Sequence, residues 1–473
     1  MNNSPIRWIG TCLVLLCAAA WANAQQPAAE RSVNIYEEQL RVRLDEQIPD
    51  RSDTGFRAGG WLSAAAMHFD DAAVNDDRDL RKYQLRGWLS FNYKGVHRFY
   101  VRGLLNLDEW SGNDNPAAPD RGDDFEERIE RAWYQFDYGA YYRTRFGEEA
   151  PFDLRVRVGR SFATMGTSLV LAMPLDMIEL NAGFADWHLK ALWGETIHDS
   201  HNIDRSAPVA HRQERCFYGV ELAYEGFDRH RPFAYYLAQF DHTTPDPGLA
   251  GQRFDYSSRY VGVGSEGSFL DPGLRYRVEL VGEWGRTYSA GATGSQDRIC
   301  AWAGDAMIEY NFDCPTQPRI YAEYLFGTGD SDRTVSAVST LGGNTAGTVD
   351  NAFNAFGFRD TGIAFAPALA NLHIWSLGGS FFPLEDHKWF EKMEVGTKAF
   401  LYYRVKSSGA ISDTTVTSDG RYVGWEMDVF CNWRITSDLS WTVRYGFFNP
   451  GDAYDGGDKT CRQFVYTGLV LSF

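Results

Sequence analysis

Long stretches of this chain alternate apolar and polar residues with a period of two, and this pattern constrains the fold more than any other feature. From Tyr83 to Tyr93 the odd positions are apolar or aromatic apart from Gly87, and the even positions include Gln84 and Arg86. Similar windows cover residues 99–107, 274–284, 393–405, 423–431 and 465–473. Successive side chains of a strand point to opposite faces of a sheet, whereas a helix repeats every 3.6 residues. The windows therefore predict β-strands.

The two faces of these strands differ in a way that is unusual for a water-soluble sheet. Charged residues occupy the middle of one face, and Trp, Tyr and Leu occupy the other. A soluble β-sandwich would pack its apolar faces together in one core. In an outer-membrane barrel the apolar face contacts lipid and the polar face lines a wet interior, and each strand needs about 9–11 residues to cross the bilayer. Several windows reach that length, so the pattern favours a transmembrane barrel over a sandwich.

The first 24 residues have the features of a secretory signal peptide. Arg7 precedes an apolar run from Trp8 to Trp21, and Ala22-Asn23-Ala24 fits a small-residue cleavage site. An uncleaved membrane anchor is the alternative. We predict a cleaved signal over 1–24, an N-terminal periplasmic segment or first strand over 25–50, and an outer-membrane β-barrel over 51–473. At roughly 25 residues per strand and loop, the mature length predicts about 18 strands (16–18), antiparallel, with periplasmic termini.

One uncharged stretch tests this all-β prediction. Thr361–Leu384 contains 24 residues without a formal charge, which is long enough for a transmembrane helix. Pro367, Pro383 and several small or polar residues would break or weaken such a helix. We therefore predict a loop that leads into a strand.

The carboxyl end fits the closing strand of a barrel. Apart from Thr467, every second residue from Val465 to the terminal Phe473 is apolar. An aromatic last residue of this kind resembles the signal that the outer-membrane insertion machinery reads. A buried strand that ends a soluble domain is the alternative interpretation.

Composition and charge exclude several classes of function. With 23% charged, 15% aromatic and 44% apolar residues, the chain is too apolar for a disordered protein. The net charge of −17 argues against nucleic acid as a general partner, because phosphate binding needs a basic field. Much of the acidic excess lies in connections such as Glu109–Glu127, where it serves either solubility or cation-bridged contact with lipopolysaccharide. Five of the seven cysteines follow the signal and none forms a C-x-x-C pair, so no metal site or cofactor is predicted.

The positive charges inside the predicted strands are more informative. By alternation, a set of cations should point into the interior: Arg86, Arg98, Arg102, Arg131, Arg155, Arg157, Arg275, Arg277, Arg319, Lys398, Arg404 and Arg444. Interleaved carboxylates share that face: Glu279, Glu283, Asp305, Glu309, Glu323, Glu426 and Asp428. Arginine forks bind carboxylates with two parallel hydrogen bonds, and nearby acids would keep a solute from binding too tightly to leave. The alternative for any single arginine is an ion pair that braces the barrel wall.

Several motifs together point to one known family. Arg444-Tyr-Gly-Phe-Phe448 followed by Pro450–Tyr454 resembles the last hairpin of the alginate export porins, a family of outer-membrane barrels. Other similar motifs are Gly424, Glu426 and Asp428; Leu369, Asn371, Leu372, Leu377, Gly378 and Ser380; Arg131, Trp133, Phe136, Asp137 and Tyr138; Leu154–Arg160; and Asp176, Glu179 and Asn181.

This resemblance implies an 18-stranded monomeric barrel with an arginine-lined constriction for anionic alginate. Carried over by position, Arg131, Arg160, Arg404 and Arg444 would be pore cations, with Glu426 and Asp428 as acidic partners. Arg160 lies on the outward face by alternation, and a β-bulge at Gly159 would be needed to turn it inward.

We therefore predict a passive outer-membrane channel for an anionic polysaccharide or oligosaccharide, alginate or a related uronate polymer. The expected partners are that polymer, outer-membrane lipid and lipopolysaccharide, and periplasmic export proteins. A general anion porin, a barrel enzyme and an adhesin are the alternatives, although no G-x-S-x-G motif is present. If the channel prediction holds, Arg404→Ala and Arg444→Ala should weaken block by uronate oligomers.

Overall fold

The predicted strand windows all form strands of one closed antiparallel barrel. The computed structural model describes residues 54–71, 76–111, 123–197, 203, 213–243, 255–288, 296–333, 336–338, 344–455 and 459–473. The signal peptide and the 25–50 segment lie outside the described residues, so both stay predictions.

The strands follow one another in chain order around the wall. Their bounds are β1 Gly55–Asp71, β2 Asp76–Tyr93, β3 His97–Trp110, β4 Asp123–Asp137, β5 Asp153–Met165, β6 Leu171–Phe184, β7 Trp187–Thr196, β8 Arg215–Tyr224, β9 His230–Asp241, β10 Tyr256–Ser268, β11 Leu274–Thr287, β12 Asp297–Asn311, β13 Arg319–Gly327, β14 Val349–Asp350, β15 Leu372–Phe381, β16 Met393–Arg404, β17 Tyr422–Arg434, β18 Leu439–Pro450 and β19 Arg462–Ser472. The two-residue β14 pairs in parallel with β12 and is not one of the strands of the wall. The other 18 strands form the wall, which closes where β1 pairs with β19 from Trp61↔Ser472 to Asp70↔Gln463.

The sidedness of the strands agrees with the sequence pattern. Apolar residues at alternate positions point outward and are exposed, for example Leu89 (49%), Leu280 (46%) and Leu469 (45%). Residues at the positions between them point inward, and Arg86 and Glu279 are buried there. This arrangement gives the barrel the apolar outer surface that lipid requires.

The two ends of the barrel differ in their connections. At one end the strands join through short turns such as Lys94–Val96 and Ala185–Asp186, and we call this the short-turn end. The single described α-helix, α1 (Tyr138–Phe146), also lies in a connection at that end, and Asp137 caps it by accepting a hydrogen bond from the Ala140 N–H. The opposite, long-loop end carries the 21-residue interval between β14 and β15 and most other long connections. No helix among the described residues is both long and apolar enough to span a bilayer.

At two register shifts, side chains point to a different face of the sheet from the one that strict alternation predicts. Arg102 pairs with Arg131 and the next residue pairs with Ile129, so Glu130 is an extra residue that faces inward beside Arg131. A second shift on β17 leaves Val423 without a register partner on β16. The sequence pattern placed Val423 on the outward face, but its side chain is fully buried, because the bulge turns it into the interior.

Two segments from the long-loop end fold into the barrel interior. The inner loop is residues 351–371, and the hairpin tip is residues 166–170 between β5 and β6. Carboxylates of the wall accept hydrogen bonds from their backbone: Glu221 from Gly166 N, Glu279 from Thr167 N, Glu283 from Asn354 N, and Glu426 from Ile363, Ala364 and Phe365 N. The first part of the uncharged Thr361–Leu384 stretch belongs to the inner loop and the second part forms β15, which confirms that prediction.

Apolar packing fixes these infolded segments. Phe365 of the inner loop stacks on Phe448 of β18, with ring centroids 4.3 Å apart. On the opposite wall, Phe356 packs edge-on against Phe217 of β8. Many inward positions near the long-loop end therefore carry apolar side chains rather than the charged ones that a uniformly wet interior would have.

Candidate functional site

A cavity of about 750 Å³ lies between the barrel wall and the infolded segments. Its size falls within the range of about 300–1,000 Å³ that is usual for small-ligand pockets. Seven cations line it: Arg98, Arg131, Arg157, Arg277, Arg319, Arg359 and Lys398. Three carboxylates share the lining: Glu309, Glu323 and Asp360. The cavity is thus positive in a chain whose net charge is −17.

An alternating chain of charges ties the inner loop to the wall of this cavity. Arg359 of the inner loop donates from Nε to Asp305 of β12 over 2.9 Å, and its Nη2 donates to the Thr167 hydroxyl of the hairpin tip. Asp305 also accepts from Arg277 over 2.8 Å, and Arg277 reaches Glu323 of β13 over 2.6 Å. These charge-assisted bonds fix Arg277 and Arg359 in place on the lining of the cavity.

The chain ends at the inner loop again, through Lys398 of β16. Its ammonium lies 3.4 Å from Glu323 and 3.4 Å from Asp360. Burial raises the pKa of Asp360, but the charges of Lys398 and Arg444 and a hydrogen bond from the Gly362 N–H oppose it. Together they hold the pKa below its ordinary value of 3.8. Asp360 is therefore a carboxylate at neutral pH.

Aromatic rings complete the lining. The Arg157 guanidinium lies over the Trp133 ring at 4.7 Å and donates to the Gln135 side-chain oxygen over 2.8 Å. The Arg131 guanidinium lies 5.4 Å from the Phe162 ring. Stacking on a ring holds a guanidinium flat while its edge stays available for hydrogen bonding.

A smaller cavity of about 150 Å³ adjoins the first. The two share Arg319, Tyr321, Asp360 and Lys398, and the smaller one adds Asp428 and Arg444. The Asp360–Lys398 pair therefore stands at the junction of the two spaces.

The structure places the predicted site residues in three groups. Arg131, Arg277 and Lys398 line the large cavity, and Arg444 and Asp428 line the small one. The other predicted residues contact neither cavity: Arg86, Arg102, Arg160, Arg275, Arg404 and Glu426.

Several residues of this last group brace the protein. Arg86 and Arg102 both bind the buried Glu130, at 3.1 and 3.0 Å. Arg404 donates from Nε to the Gly420 carbonyl over 2.9 Å and holds the β16–β17 connection. Glu426 accepts hydrogen bonds from the inner-loop backbone.

The remaining two, Arg160 and Arg275, reach neither cavity, for different reasons. Arg160 forms a two-bond pair with Asp176, its cross-strand neighbour, at 2.9 Å for each bond. Asp176 is one residue from the inward Met177 and lies on the outer face, so the inward turn that the resemblance requires of Arg160 is absent. Gly159 does have a positive φ of 118°, but the β5–β6 register runs through it without a shift. Arg275 is exposed near the short β10–β11 turn.

Sequence reasoning missed Arg359, Asp360 and Glu130. The first two are loop residues, and strand alternation says nothing about loops. Their one signal is position, since they are the last charges before the uncharged Thr361–Leu384 stretch. Glu130 was missed because the bulge beside it breaks the alternation.

Comparison with known proteins agrees with this architecture. The model of the alginate export family matches residues 74–466, which is most of the chain. The chain belongs to the alginate export family. A search of curated proteins gives no match.

Several solved structures from Pseudomonas aeruginosa share this fold. OccK5 (OpdH) is 14% identical with a TM-score of 0.54, over 88% of this chain and 97% of that one. OccK8 (OprE) is 11% identical with a TM-score of 0.54, over 88% and 98%. OccK2 (OpdF), solved in complex with glucuronate, is 11% identical with a TM-score of 0.52, over 88% and 95%. At such identities the likeness concerns the fold.

The family and the fold together assign this protein to the Gram-negative outer membrane as a porin-like channel. They point to a channel rather than to an enzyme.

Proposed function

We propose that this barrel passes an anionic uronate polysaccharide or its oligosaccharides, alginate or a close relative, by passive diffusion along an arginine-lined path. The observation that carries the proposal is the cavity in which seven cations face three carboxylates inside a chain of net charge −17. Such a local excess attracts anions over several ångströms, because the low-dielectric wall focuses the field.

The side chains in the cavity suit a uronate chemically. Arginine forks match the two oxygens of a carboxylate and keep their charge when partly desolvated. The rings of Trp133 and Tyr321 add apolar surface to the lining, and their faces carry the Arg157 and Lys398 cations. Glu309, Glu323 and Asp360 offset part of the positive charge, which keeps a solute from binding too tightly to leave.

Two comparisons support the substrate class. The family is named for alginate export, and alginate is a uronate polymer. OccK2, which shares the fold, was solved in complex with glucuronate, which is a uronate monosaccharide.

The orientation is part of the proposal. Outer-membrane barrels have short periplasmic turns and longer external loops. Placing the short-turn end in the periplasm puts both barrel termini there, since Gly55 pairs with Asn92 beside the Lys94–Val96 turn and Phe473 pairs with Gly60. Periplasmic export proteins would then meet the short-turn end, and lipid and lipopolysaccharide would contact the apolar outer surface.

Single-channel recording in planar bilayers tests the proposal. We expect a reversal potential that reports anion preference in a KCl gradient, and block by alginate or polygalacturonate oligomers but not by neutral malto-oligosaccharides. Arg157→Ala and Arg131→Ala should weaken the block. Arg143→Ala, on the exposed surface of α1, is the matched control and should leave the block unchanged. Cation preference with no response to either polymer would refute the proposal.

A general anion porin is the second candidate, because the same excess of cations would also favour small inorganic anions. Anion preference without block by uronate oligomers would indicate that function.

A further inference from the structure

The pair of Asp360 and Lys398 occupies the place where the two cavities meet. Both side chains line both cavities. A solute that moves between the two spaces passes along the lining that this pair shares with Arg319 and Tyr321.

The inner loop delivers the Asp360 carboxylate to this place between two anchors. On one side, Arg359 is bound to Asp305 over 2.9 Å. On the other side, Glu426 accepts the backbone N–H groups of Ile363 and Ala364 over 2.6 and 2.7 Å. With the backbone held on both sides, the position of Asp360 is a fixed feature of the loop.

The two contacts of Lys398, with Asp360 and with Glu323, are the longest in the charge chain. Both carboxylates lie 3.4 Å from the Lys398 ammonium, whereas Arg277 binds its two carboxylates at 2.8 and 2.6 Å. Charge-assisted bonds usually measure about 2.7–2.9 Å. The Asp360 side chain is also 36% exposed, against 7% for Glu323, so an incoming group can reach it.

We propose that Asp360 is a built-in competitor for the solute: its carboxylate occupies Lys398 at rest, and a uronate carboxylate passes by exchanging with it. The inference rests on the proposed function and adds the residue that sets how tightly the junction holds its anion. A lysine suits this role because its ammonium is a point charge with three rotatable donors, which can change partners without a fixed geometry.

The exchange lowers the net affinity for the solute, because each bound uronate displaces a carboxylate that was already paired. It also restores the second carboxylate partner of Lys398, beside Glu323, when the solute leaves. Removing the competitor should therefore make the solute bind more tightly and leave more slowly. A lowered pKa keeps Asp360 charged, and hence competent, at neutral pH.

The experiment measures block of single channels by a uronate tetramer in four variants and the wild type. Asp360→Asn removes the competitor, and Glu309→Gln removes one charge from the same cavity at a carboxylate that pairs with Arg319 instead. Lys398→Gln removes the shared cation, and the fourth variant combines it with Asp360→Asn. Heat-dependent mobility in SDS checks folding, and Asp360→Ser replaces Asp360→Asn if the latter fails to fold.

We expect Asp360→Asn to lower the Kd for block by about 2- to 10-fold and lengthen each blocked event, as for the loss of one partly buried ion pair. Glu309→Gln should change the Kd by less than half as much on a logarithmic scale. In the Lys398→Gln background, Asp360→Asn should have a much smaller effect.

Three results would overturn the inference alone, with wild-type block intact and still dependent on Arg157. They are an unchanged Kd in Asp360→Asn, an equal effect of Glu309→Gln, and an undiminished effect in the Lys398→Gln background. Absence of block in the wild type would instead overturn the proposed function, and this inference with it.

Discussion

Glu426 of the barrel wall holds the inner loop at Ile363, whose backbone N–H donates to the Glu426 carboxylate over 2.6 Å. Ala364 and Phe365 donate to the same carboxylate, which is fully buried. The motif that resembles the alginate export family suggested an acidic pore residue at this position. Instead, the carboxylate satisfies three backbone donors of the loop that bounds the cavity.

Glu426→Ala should loosen the inner loop. It leaves three buried N–H groups without their acceptor, and one such group costs about 1–3 kcal/mol. We expect a lower unfolding temperature and single-channel currents that are larger and noisier. Glu426→Gln, which keeps one carbonyl acceptor, should be intermediate. If the currents of Glu426→Ala are as small and as quiet as those of the wild type, packing alone holds the loop.

Glu130→Ala should be among the most destabilising single changes in the barrel. It leaves the buried cations of Arg86 and Arg102 without their shared carboxylate, and breaking a buried pair in this way costs about 3–5 kcal/mol. Glu149→Ala removes the exposed partner of Arg143 and should change stability by less than about 1 kcal/mol. Urea titration of folding into detergent micelles measures both. Similar values for the two variants would contradict the bracing role of Glu130.

The sequence predicted the barrel and much of its cavity because both follow from side-chain alternation along strands. Arg131, Arg277 and Lys398 reach the large cavity as alternation requires. Alternation predicts the wrong face for Val423 and does not identify Glu130 as an inward residue. Each lies at a bulge, and no local sequence pattern predicts either bulge.

Loops limited the sequence prediction in a different way. The sequence shows that Thr361–Leu384 is not a helix, but it does not show that the first half folds back into the barrel. That fold depends on wall carboxylates distant in sequence, such as Glu283 and Glu426, and on apolar packing across the interior. Asp360 and Arg359 therefore remained outside the predicted site.

The pH dependence of anion selectivity should report the titration of Asp360. Its pKa is lowered below 3.8 in the folded protein, chiefly by Lys398 acting against burial, with Arg444 adding to it. A lowered pKa means that the ion pair contributes fully above 3.8 and is lost as the pH falls through the folded-state pKa. Arg319 and Tyr321 also line both cavities here, and Asp428 lines the small one. All three are unchanged between the wild type and the Asp360→Asn variant.

We therefore expect wild-type protein to be less anion-selective than Asp360→Asn at pH 7 and still at pH 4.5, with the two converging only below pH 3.8. Reversal potentials in a KCl gradient between pH 7 and pH 3 give the comparison. Convergence already near pH 5 would mean that the Asp360 carboxylate is not held in its charged form.

Arg404 and Arg444 should behave differently, although both were predicted as pore cations. Arg444 lines the small cavity, so Arg444→Ala should weaken block by uronate oligomers, as the sequence predicts.

Arg404, by contrast, donates its hydrogen bonds to the backbone carbonyls of Gly420 and Ser418. Arg404→Ala should therefore lower the unfolding temperature, through the loss of buried hydrogen bonds worth about 1–3 kcal/mol, and leave the Kd for block unchanged. Arg404→Lys should restore stability only in part, because an ammonium cannot reproduce the planar fork. A Kd that rises equally in Arg404→Ala and Arg444→Ala, with both proteins fully folded, would place Arg404 on the solute path and contradict its bracing role.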